Sequence, residues 1–231
     1  MTITGKTIEN NSSRWKKILC LIMLFFYCSA ILEPLNLHVL GTLMTFMQFA
    51  VVIVMLPDLL GEFKKIKGNT KCLIYVPIGV ILMIGVQAFL WDSVILPNIL
   101  SALGISLNNA NADLIDGMIK NSPVIMGLMV CIHGPIIEEI LYRYTAFGLI
   151  YKKNRFLAYL VSALIFGLQH VIVAAVWGGN PIQFLNMPGY IIAGIIFAFI
   201  YSKTKTLAVP ILVHMIGNSI GLLFMFVSFG Q

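Results

Sequence analysis

Apolar windows recur along this chain at a length that matches the hydrocarbon core of a bilayer. Crossing ~30 Å takes about 20 residues at ~1.5 Å rise each, and seven stretches qualify: 18–32, 37–56, 72–91, 124–150, 156–177, 184–201 and 207–229. The first is short, but no small-residue cleavage site precedes Glu33 and Pro34, and six more windows follow. It therefore reads as a retained span and not as a signal peptide. Charged residues make up 10% of the chain, against about 25% in soluble domains, so a water-soluble fold is excluded. The expected architecture is an all-α, polytopic transmembrane helical bundle of about seven spans, a single membrane domain over 18–231 behind a cytoplasmic segment at 1–17. Residues 92–122, between spans 3 and 4, are amphipathic and interrupted by Pro97 and by Asn108 to Asn111. They predict one or two surface helices lying on the bilayer.

Charge placement gives the orientation. Lys and Arg in short loops stay on the cytoplasmic side. In the seven-span arrangement Lys6 to Lys17, Lys64 to Lys71, Lys152 to Arg155, and Lys203 with Lys205 all fall on one side, leaving only Lys120 opposite, with Glu33, Asp92, Asp113 and Asp116. The N-terminus is then cytoplasmic and the C-terminus outside. The net charge of +6 is a topology signal spread over separate loops, which gives no support to nucleic-acid binding. Cys20, Cys28, Cys72 and Cys131 lie in different apolar segments without C-x-x-C spacing, so they read as small buried hydrophobes.

Against this background three polar clusters stand out, because ionisable side chains at membrane depth are costly and mark functional interiors. In the fourth window Glu138 and Glu139 are adjacent, about 100° apart on a helix, so their roles divide. Arg143, four residues after Glu139, shares its face and can neutralise it. Glu138 is left without a partner on its own helix and is a candidate general base for water. A buried helix–helix ion pair is the purely structural alternative. In the fifth window Phe166 and His170 share a face, so the ring can orient the imidazole; a satisfied core histidine is the alternative. In the seventh, His214 and Asn218 repeat the four-residue spacing. Asn218 has two amide donors and with His214 could stabilise an oxyanion, or the two could make an interhelical hydrogen bond. His133 lies about 140° around the helix from Glu138 and reads as a pore or packing residue, and His38 carries no motif. Depth counting places these side chains at different levels, so tilt or a deeper fourth span is needed to bring them together.

Taken together, E-E-x-x-x-R, F-x-x-x-H and H-x-x-x-N in three separate late spans resemble the CAAX-processing and bacteriocin-processing (CPBP, or Abi) intramembrane proteases. The resemblance covers about 122–221, including Pro135 before the glutamates and the Ser162 to Gly167 lead-in. Tyr144 departs from a family that commonly has glycine shortly after the arginine, and altered packing is expected there. The resemblance implies a hydrolase in which Glu138 and His170 activate a water, His214 and Asn218 hold the oxyanion, and Glu139 and Arg143 support them. No acyl intermediate is implied, so Ser162, Ser219 and Cys131 are expected to be packing residues.

No cofactor is expected, with zinc as the alternative. Two histidines and two carboxylates could hold zinc in tetrahedral geometry, but there is no H-E-x-x-H helix and Arg143 would compete with a cation for Glu139. The expected partners are the lipid bilayer and a membrane-associated peptide or protein substrate. The short, compact chain reads as bacterial, which favours a membrane peptide over a prenylated CAAX terminus. A transporter would also bury such groups, but shows paired halves that are not found here. A non-catalytic bacteriocin self-immunity or regulatory scaffold is the remaining rival.

Overall fold

The computed structural model describes residues 14–29 and 38–229, and every regular element among them is helical. The helices are α1 (Arg14–Ser29), α2 (His38–Gly68), α3 (Thr70–Leu103), α4 (Ala110–Asn121), α5 (Pro123–Tyr151), α6 (Arg155–Trp177), α7 (Pro181–Thr204) and α8 (Ala208–Phe229). Six of them, α2, α3 and α5 to α8, are long and apolar enough to cross a membrane. The seventh expected span is described only in part. α1 has 16 residues, and the rest of that window, with Glu33, Pro34 and the N-terminal Lys6, lies outside the described residues, as do the side chains of Cys28 and His38.

Only one separate helix forms between the third and fourth windows. Residues 92–103, expected to lie on the surface, continue α3 instead. Pro97 does not break it, because it sits at the start of an α-helical stretch that follows wide i→i+5 turns over Met83–Ile95. A change of hydrogen-bond register there absorbs the missing N–H. α3 ends at Gly104, whose φ of 65° is the left-handed conformation glycine adopts without penalty. α4 then starts at Asn109, whose side-chain oxygen accepts from the Ala112 N–H at 3.2 Å.

α5 sits at the centre, against α1, α6 and α8, and α7 packs along α6 over most of its length. Small residues set these approaches. A Cβ on Gly194 of α7 would lie 3.0 Å from the Ala163 backbone of α6, and one on Gly79 of α3 would fall 2.5 Å from Ile200. The outer surface is apolar: Phe46, Ile53, Ile81, Val124, Phe156 and Phe224 are each at least 67% exposed. Glu139, Arg143, Ser162 and His214 are buried instead. Apolar outside and polar inside is the arrangement a lipid solvent demands.

Candidate active site

Each motif occupies its own helix: the glutamates and Arg143 on α5, Phe166 and His170 on α6, His214 and Asn218 on α8. Wide i→i+5 turns over Met129–His133 and Ile140–Phe147 flank the regular turn that carries the glutamates. Such turns concentrate at functional sites because they re-aim side chains. Glu138, His170, His214 and Asn218 line one cavity of about 530 Å³, with His133 and Tyr190. The depth mismatch expected from the sequence does not arise.

Glu139 and Arg143 lie behind this cavity and are fully buried. Arg143 Nε stands 3.3 Å from Glu139 Oε2, and its Nη2 donates to the Gly194 carbonyl at 3.2 Å. Its guanidinium carbon sits 4.6 Å from the Phe166 ring centroid and 5.0 Å from that of Phe197, within cation–π range. The i, i+4 pair read from the sequence is therefore present, and aromatic faces complete its surroundings.

His214 joins the two carboxylates. Its Nδ1 is 3.1 Å from Glu139 Oε1 and its Nε2 is 3.7 Å from Glu138 Oε2, while its ring stacks on Phe197 at 4.4 Å. Glu139, paired with Arg143, is an acceptor, so Nδ1–H donates to it and Nε2 faces Glu138. Glu138 Oε1 accepts from the Tyr27 hydroxyl at 3.4 Å. Its Oε2 is buried, with no hydrogen-bond partner among the described residues.

His170 Nδ1 lies 2.7 Å from the Phe166 carbonyl. A carbonyl only accepts, so Nδ1 carries the proton and Nε2 keeps its lone pair in the neutral ring. Phe166 packs on the imidazole at 4.7 Å, as the spacing implies. Asn218 makes an interhelical hydrogen bond, one of the two arrangements its position allows. Its Nδ2 donates to the Val130 carbonyl at 2.9 Å, so one of its two amide hydrogens is committed to joining α8 to α5. The Ser162 hydroxyl donates to the Tyr142 carbonyl at 3.0 Å, and that of Ser219 to the Met215 carbonyl at 2.7 Å. His133 lines the cavity and packs at a tilt against Phe49, with ring centroids 4.2 Å apart. Among the described residues no three His, Cys, Asp or Glu side chains are grouped as metal ligands.

Sequence reasoning missed Tyr27, Tyr190 and Phe197. The only trace of the two tyrosines was a hydroxyl inside an otherwise apolar window, and Phe197 left none. The Val130 and Gly194 carbonyls could not have been found, because backbone acceptors have no side-chain signature.

Residues 120–220 match the family described as type II CAAX prenyl endopeptidase, Rce1-like. The chain is 34% identical over 117 residues to the "Putative membrane peptidase YdiL" of Bacillus subtilis (strain 168), covering 50% of this chain and 43% of that protein. It is 38% identical over 102 residues to the "Membrane-embedded CAAX protease MroQ" of Staphylococcus aureus (strain USA300), covering 41% and 37%. The chain thus spans less than half the length of these curated relatives. No solved structure matches. The matched segment holds all seven motif residues, and over that segment this multi-pass chain is similar to the Rce1-like CAAX endopeptidase family of membrane proteases.

Proposed function

We propose that the chain is an intramembrane endopeptidase that hydrolyses a peptide bond in a membrane-associated peptide or protein. The observation that carries this reading is the buried, hydrogen-bond-free Glu138 Oε2 in the cavity that also holds His170 and His214. Water lying between Glu138 Oε2 and His170 Nε2 gives its proton to the carboxylate and its oxygen to the carbonyl carbon. The carbonyl oxygen gains charge and is met by the remaining amide hydrogen of Asn218 and by His214. Because Nδ1–H of His214 already serves Glu139, an Nε2–H exists only in the doubly protonated ring, so His214 acts as a charged donor. When the C–N bond breaks, the proton held by Glu138 passes to the leaving nitrogen. Glu139 and Arg143 touch no reacting atom; they hold His214 in place.

The proposed chemistry uses no metal, since Glu139 is occupied by Arg143 and His214. The distribution of lysines among the loops supports a cytoplasmic N-terminus. To test the function, wild-type and Glu138→Gln proteins are expressed in the same cells and new peptide termini in the membrane fraction are compared. Losing the base is expected to lower their rate of appearance by at least ~10²-fold with the protein still inserted. An unchanged set of termini would leave a non-catalytic immunity or regulatory scaffold as the better reading.

A further inference from the structure

His170 has two aromatic neighbours, and only one of them, Phe166, belongs to the motif. The other is Tyr190 of α7, stacked on the imidazole with centroids 4.2 Å apart and planes 17° from parallel. Ring pairs at this spacing contribute about 0.5–1.5 kcal/mol beyond the area they bury. The phenol is itself held at its far end. Its hydroxyl donates to Asn109 Oδ1 at 3.1 Å and accepts from Asn111 Nδ2 at 3.3 Å. Both asparagines sit where α4 begins, and Asn109 Oδ1 is also the acceptor for the first turn of α4. That turn is anchored a second time: Gln183 Nε2 donates to the Asn108 carbonyl at 3.0 Å, and Gln183 Oε1 accepts from the Ala110 N–H at 3.3 Å.

We propose that Tyr190, clamped by Asn109 and Asn111, is a positioning residue for His170, and that the start of α4 thereby sets the geometry of water activation. The hydrogen bond to the Phe166 carbonyl fixes which nitrogen is protonated but leaves the ring free to pivot about that bond. The two flanking rings remove the pivot and aim Nε2 at the cavity. Tyr190 touches no reacting atom in this scheme. Its effect is on orientation, where a displacement near 1 Å can cost ~10²-fold in rate. The proposal rests on the endopeptidase reading for its catalytic consequence, though not for the placement of the imidazole.

The experiment uses the full chain purified into lipid nanodiscs, with ¹⁵N-labelled histidine, and a synthetic peptide spanning a cleavage site found by the terminus comparison. Tyr190→Leu removes the stack, Tyr190→Phe keeps it and loses the clamp, and Asn109→Ala loosens the clamp from the other side. The His170 signal is identified by its loss in His170→Gln. In the wild type it is expected to be one narrow signal with Nδ1 protonated, and in Tyr190→Leu a shifted and broadened signal of the same tautomer, from a ring that pivots about the hydrogen bond to Phe166. With peptide, kcat is expected to fall ~10²-fold in Tyr190→Leu and several-fold in Tyr190→Phe, with KM within about threefold of wild type. Asn109→Ala combined with Tyr190→Phe should be no worse than either alone, since both break one clamp. An unchanged His170 signal and kcat in Tyr190→Leu would overturn the proposal, as would additive losses in the double variant. If Tyr190→Leu does not fold, Tyr190→Phe and Asn109→Ala decide on the same readouts. A full rate in Glu138→Gln with a perturbed His170 signal in Tyr190→Leu would sink the endopeptidase reading and leave the positioning role standing.

Discussion

Replacing Arg143 by methionine isolates the ion pair behind the cavity. The guanidinium is fully buried 3.3 Å from Glu139. Two unit charges at that distance attract by about 5 kcal/mol at an effective dielectric constant of ~20. Part of this only offsets the cost of taking both ions out of a polar solvent, so the intact pair is close to neutral in net stability. Breaking it is different. Arg143→Met leaves the Glu139 carboxylate buried with only His214 beside it, and also removes the hydrogen bond to the Gly194 carbonyl and the faces offered to Phe166 and Phe197. A loss of about 3–5 kcal/mol is expected. Glu139→Gln added to Arg143→Met removes the stranded charge, while the amide oxygen still accepts from His214 Nδ1, so stability should return to within about 1.5 kcal/mol of wild type. Reversible unfolding in mixed micelles, titrated with a denaturing detergent, measures all three proteins. Activity should not return with stability, since His214 Nδ1 no longer has the Glu139 carboxylate that supports the charged ring. A single variant that loses less than ~1 kcal/mol, or a double variant as unstable as the single, would refute the argument that the charge left behind dominates.

Three further outcomes are expected. Gly194→Leu drives a side chain into the Ala163 backbone, 3.0 Å from where its Cβ would sit, and should destabilise the α6–α7 pair by about 1–3 kcal/mol in the same unfolding assay; wild-type stability would mean the helices can separate freely. In a background with Cys20, Cys28, Cys72 and Cys131 replaced, single cysteines at Lys65, Lys153 and Lys205 should be shielded from an impermeant thiol reagent in intact cells and one at Asp113 labelled; outside labelling at Lys153 would invert the topology. His214→Gln should keep some activity while His170→Gln loses nearly all, with activity resistant to a strong chelator; stoichiometric zinc that tracks activity in elemental analysis would make the histidines ligands instead.

What the sequence disclosed and what it concealed follow from the same physics. Helix periodicity made the Glu139–Arg143 pair and the Phe166–His170 contact legible, because both are i, i+4 relations within one helix and need no tertiary information. The relations that join helices were hidden. His214 between the two glutamates, Tyr27 on Glu138 and Asn218 on the Val130 carbonyl link α8 or α1 to α5 across large sequence separations. A tyrosine in an apolar window has no pattern of its own. The reading of residues 92–103 failed for a related reason: hydropathy sees composition and not continuity, so they read as a surface helix although wide turns carry α3 through them. The same kind of turn brackets the paired glutamates on α5. A helix of uniform 3.6-residue turns would rotate its side chains by fixed steps, whereas each added wide turn shifts the face that follows. Within the regular turn between those wide ones, the ~100° step lets Glu138 point into the cavity while Glu139, one residue later, points behind it toward Arg143. Adjacent carboxylates with opposite tasks need this divergence, one kept paired and dry and the other kept open to a reacting water.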